Sequence, residues 1–110
     1  MIDKSAINEI LATYKKYEWV LRRVLLTEAL RSALGAEAKL FFGGVPIVAS
    51  DVDAAWFSRP PKPGPTAWEI RHLSNAPYAL LESVDENSST FEEQLAAVEA
   101  RLRAAVRRSS

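Results

Sequence analysis

Cysteine is absent from the 110-residue chain, which excludes disulfides, thiolate metal sites and a cysteine nucleophile. A chain without cysteine suits a reducing compartment. Histidine occurs once, at His72. A zinc site would therefore draw most of its ligands from carboxylates, which is uncommon. No metal and no cofactor is expected. No stretch is apolar for long enough to span a bilayer, so no membrane partner is expected. The opening Met1-Ile2-Asp3-Lys4-Ser5-Ala6 lacks the basic-then-apolar pattern of a secretory signal, and the cytoplasm is the expected location. Charge of one sign is missing too, since 14 basic residues balance 14 acidic ones. No segment is basic enough to be an electrostatic footprint, so nucleic acid is not an expected partner. A chain near neutrality is, however, easily drawn into self-association.

What the chain does have is an order of patterns. An apolar-periodic stretch runs from Asp3 to Leu34, short apolar runs broken by Gly, Pro and Asp fill 39–84, and a second helical stretch covers 90–108. Helix, strands, helix is the plan of an α+β domain, with a long N-terminal helix, four or five mostly antiparallel strands and a C-terminal helix. The length fits a single domain over residues 1–110.

Asp3 is a good N-cap, and Ile2 and Ile7 have the spacing of a hydrophobic staple. Ile7, Ile10, Leu11, Tyr14, Tyr17, Leu21, Val24 and Leu25 recur at helical spacing, and Gly35 can take the left-handed terminal position. From Trp19 onward the apolar residues go most of the way round. A helix of that kind must be covered all round. Both helices are expected on one sheet face, and the second helix or another subunit must cover the rest.

Lys39 to Ser50 reads as a hairpin turning at Gly43-Gly44, with Pro46 marking its second strand as an edge or as bulged. Ala54–Arg59 reads as a strand, or as a short helix capped by Ser50 or Asp51. Pro60 to Pro65 holds four prolines and reads as an extended loop. Residues 66–73 and 78–84 read as strands. Thr90 and Glu93 have capping-box spacing, and Phe91, Leu95, Val98, Leu102 and Val106 form one stripe. The order resembles the plan of double-stranded-RNA-binding domains, but acids stand at the start of the last helix where a lysine-rich segment would be needed.

The residues best suited to chemistry are Trp56, Arg59, Trp68, Arg71 and His72. Each of two strands carries a tryptophan with an arginine three residues on. Arginine takes carboxylate or phosphate bidentately, and tryptophan supplies a stacking wall. Cross-strand packing with charge pairs explains the same pattern. His72 has no visible nucleophile to serve, so no catalytic set is expected. The acids of Asp51, Asp53, Asp85 and Glu86 read as solvated turn residues.

The leading expectation is a small non-enzymatic binding or interaction module, homodimeric through the open sheet face or the second half of the first helix, with a protein partner also open. The alternatives are a small-ligand-binding domain or minor enzyme using the five residues above, and a protein-binding inhibitor such as an immunity protein.

Overall fold

Asp3 opens the first helix as its composition predicts. The computed structural model describes residues 1–59 and 66–109, so the proline segment lies outside the described residues. Helix α1 spans Lys4–Lys16, and the Asp3 side chain accepts from the Ala6 amide at 2.8 Å. Ile2 and Ile7 are both buried in the same cluster, as a staple requires.

The helix does not continue to Leu34. Glu18 takes a left-handed backbone with φ 68°, and Trp19 N–H donates back to the Tyr14 carbonyl while Glu18 N–H donates to that of Lys15. Those two bonds close a helix terminus, a place glycine usually marks. No glycine stands here, so the stop has no sequence signal. The all-round apolar stretch that follows is strand β1, Val20–Leu26. A short apolar run buried on two sides looks alike as strand or helix. Helix α2, Glu28–Leu34, is a separate element capped by Thr27 Oγ1, which accepts from the Leu30 amide at 3.2 Å. Asp53 Oδ1 in turn accepts from the Thr27 amide at 2.7 Å. Gly35 ends α2 with φ 69°, as expected.

The expected hairpin over 39–50 is also replaced. Gly35–Glu37 form a 3-10 turn, and Ala38–Phe41 form the short helix α3. Gly43 and Gly44 do adopt positive φ, at 69° and 81°. Their amides donate to the carbonyls of Leu40 and Lys39, so they close α3 rather than turn a hairpin. Both uses need the same left-handed residues, which is why the local signal misleads. Strand β2, Ile47–Ala49, then runs parallel to β1, with Val24 opposite Ile47. Pro46 therefore precedes an edge strand, as expected.

Strands β3 (Ala54–Arg59), β4 (Thr66–His72) and β5 (Ala79–Val84) pair antiparallel in sequence, giving the order β2-β1-β3-β4-β5. Ala54–Arg59 is thus a strand and not a helix. Helix α4, Phe91–Ser109, closes the fold. The class is α+β, with an N-terminal helix, a five-stranded mostly antiparallel sheet and a C-terminal helix.

The helices do not share a sheet face. Ile7, Val24, Leu26, Leu30, Leu34, Phe42 and Phe57 form one core under α1, α2 and α3. Leu25, Trp56, Trp68, Ile70, Leu95, Val98 and Leu102 form a second core under α4. Central strand β3 alternates between them and is buried from Ala54 to Ser58. Covering a core Trp or Phe is worth about 1.5–3 kcal/mol or more, so a second layer is strongly favoured. The surplus apolar surface that suggested a second subunit is mostly covered within one chain.

Candidate functional site

Strand parity divides the five residues singled out from the sequence. Trp56 pairs with Ile70, Ser58 with Trp68 and Ala54 with His72. These positions face α4. Arg59 and Arg71 face the opposite side, with Phe57 and Glu69. The structure brings Trp56 and Trp68 together but does not join them with the arginines.

On the α4 side, Trp56 is fully buried, and its Nε1 donates to Glu99 Oε2 at 2.8 Å. Trp68 packs edge-on against Trp56 and Phe91, with centroids 6.0 and 5.2 Å away. Its Nε1 is buried with no hydrogen-bond partner among the described residues. A bulge between Leu21 and Arg23 turns two successive arginines to this side. Arg22 lies over the Trp68 ring with Cζ 4.9 Å from its centroid, and also donates to Ser58 Oγ and Glu86. Arg23 holds Glu92 bidentately at 2.9 and 3.0 Å, which keeps the Glu92 carboxyl below its usual pKa. These arginines are occupied by packing and pairing. His72 borders an apolar hollow of about 390 Å³ that Pro77, Tyr78 and Val106 also line. Burial lowers its pKa, with the Arg71 charge adding to the shift and Asp53 opposing it.

Asp51 does more than solvate a turn. Its carboxylate accepts from Arg103 Nε at 2.5 Å and Arg107 Nη2 at 3.0 Å, tying α4 to the loop before β3. Arginines at a helix C-terminus complement its dipole as well. Glu82, on β5, accepts from Arg101 at 2.7 Å. Thr90 Oγ1 accepts from the Gln94 side chain rather than acting in the expected capping box.

On the α1 side, helix and sheet leave a gap. Tyr14 stacks on Phe57 with centroids 3.9 Å apart, which seats α1 over β1 and β3. β4 and β5 are left open on this face. Ala79, Leu81 and Ser83 are exposed there, Leu81 by 61%. Arg59 sits over Trp19 at 5.9 Å. Between α1 and the end of β4 lies an open cleft of about 290 Å³, lined by Glu9, Ile10, Tyr14, Arg71, Ser74 and Asn75 among others. The Tyr14 hydroxyl donates to Glu69 Oε2, and burial together with this bond pushes the phenol pKa well above its ordinary value. Arg71 Nη1 donates to the carbonyls of His72, Ser74 and Ala76, which fixes the guanidinium at the cleft. Of these groups the sequence singled out only Arg71. Glu9 and Tyr14 sit one helical turn apart from Ala6 and Ile10 on a face that reads as ordinary amphipathic helix.

Among the described residues, no group of three or more His, Asp or Glu side chains could hold a metal ion. No described helix is long and apolar enough to cross a membrane. Comparison with family models, curated proteins and solved structures finds no match to this chain.

Proposed function

We propose that the protein is a small non-enzymatic interaction module of the cytoplasm, and that it pairs with a second copy through the free edge of β5. The observation that carries this reading is the difference between the two sheet edges. β2 is three residues long and follows Pro46, so it offers little to a partner strand. β5 has six residues, contains no proline or lysine, and pairs with β4 without a register shift. Natural edges are usually blunted by such devices, and an edge without them is a template for another strand.

Self-pairing also suits the side chains. In an antiparallel pair centred on Leu81, each Leu81 meets its copy on the open face. Ala79 then lies opposite Ser83, and Leu80 opposite Glu82. A pair centred on Glu82 would oppose two carboxylates, and like charges across strands are destabilising. The exposed Leu81 side chain becomes the centre of a self-complementary patch, as a two-fold interface requires.

Sedimentation equilibrium of the wild type and of Leu81→Lys tests the proposal. The wild type is expected to dimerise at micromolar concentration, and L81K to stay at the 12.2 kDa monomer mass with an unchanged circular-dichroism spectrum. A wild type that stays monomeric throughout would refute the dimer. An L81K that still dimerises would refute its placement on β5.

A further inference from the structure

The cleft between α1 and β4 presents an unusual mixture of charge for its size. One carboxylate, Glu9, and one guanidinium, Arg71, line it together. Among the described residues the hydrogen bonds of Arg71 run through Nη1 to backbone carbonyls, and Nε and Nη2 carry none. The Tyr14 hydroxyl is spent on Glu69 as a donor. Ser74 Oγ is spent on the Ala76 carbonyl as a donor, and Asn75 is exposed at the rim. Ala6 and Ile10 supply an apolar stretch between the charged ends.

We infer that this cleft binds a small zwitterion of the α-amino-acid class, its ammonium toward Glu9 and its carboxylate toward Arg71 and Asn75. A simple anion entering here would face the Glu9 carboxylate, and a simple cation would face a fixed guanidinium. Each carries a repulsive contact that a zwitterion avoids, and such contacts create specificity. Arginine suits the carboxylate end because its fork can give two parallel bonds. The volume of about 290 Å³ is near the lower end of small-molecule sites, which run from roughly 300 Å³ upward. It admits an amino acid and is too small for a nucleotide. The aliphatic wall accommodates the carbon atoms between the two charges. The site is separate from the β5 edge and does not depend on pairing there.

The test is a nitrogen–proton NMR titration of the full chain with glycine, L-leucine, L-phenylalanine, L-glutamate and L-lysine. At least one is expected to give saturable shifts centred on the amides of Tyr14, Arg71 and Asn75. The amine and the carboxylic acid that each retain only one charged end of that ligand should bind about tenfold more weakly, the loss of one charge-assisted contact. Glu9→Gln and Asn75→Ala change exposed side chains, so both should fold normally and weaken binding by a similar factor. The inference fails if none of the five saturates, if either half-ligand binds as tightly as the whole, or if both variants bind like wild type.

Discussion

Replacing Glu18 by glycine separates two ways of folding the first 34 residues by the sign of its effect. Glu18 is exposed and holds φ 68° at the end of α1. A residue with a Cβ pays roughly 1–2 kcal/mol in that left-handed region. Glycine escapes the penalty but gives up roughly 0.5–1 kcal/mol of extra unfolded-chain entropy. Glu18→Gly should therefore stabilise the protein by about 0.5–1 kcal/mol, a rise of about 2–4 °C in Tm for a chain of this size. Glu18→Ala is the control, because alanine keeps the Cβ and should gain nothing at a left-handed position. If the helix ran unbroken to Leu34, as periodicity alone suggests, the order of the two variants would reverse. Glycine in a helix interior would cost about 1 kcal/mol, and alanine would gain a few tenths. Urea melts of the three proteins at one concentration, followed by circular dichroism, measure the difference directly. A lower midpoint for glycine together with a higher one for alanine would refute the helix end at Glu18 and, with it, strand β1.

Two further expectations concern the core and its titration. Glu99→Ala should cost about 1–3 kcal/mol by leaving the buried Trp56 Nε1 without an acceptor, and Glu99→Gln, which keeps an oxygen there, should recover most of the loss in the same urea melts. His72 has a pKa below its ordinary value of 6.5, so the unfolded chain binds the proton more readily. Stability should therefore be complete above about pH 6.5 and decline as pH falls below it. Thermal melts between about pH 7.5 and 5 should show this decline in the wild type and a flatter profile in His72→Gln; an equal slope in both would remove His72 as its source.

Signals contained in a few neighbouring residues were legible in the sequence. Whereas Ala54–Arg59 reads as a strand or a short helix until its pairing decides it, the Asp3 cap, the Ile2–Ile7 staple, Gly35 at the end of α2, strands 66–72 and 79–84, and the stripe of α4 all follow from local side-chain chemistry and period. So does the edge position marked by Pro46, because the missing amide is a property of that residue alone. Tertiary structure alone decided three things. It ended α1 at Lys16, just before a left-handed glutamate that carries no stop signal, where Tyr14 stacks on Phe57 of the sheet. It used Gly43-Gly44 to close a helix instead of a hairpin, since both conformations are equally open to glycine. It also placed α4 on the face opposite α1, burying β3 on both sides, because alternation along a strand separates two faces without saying what will cover each. The cleft belongs to the same category. Glu9 and Tyr14 come within reach of Arg71 only when α1 packs across β1 and β3, and nothing local to residues 9, 14 or 71 records that meeting.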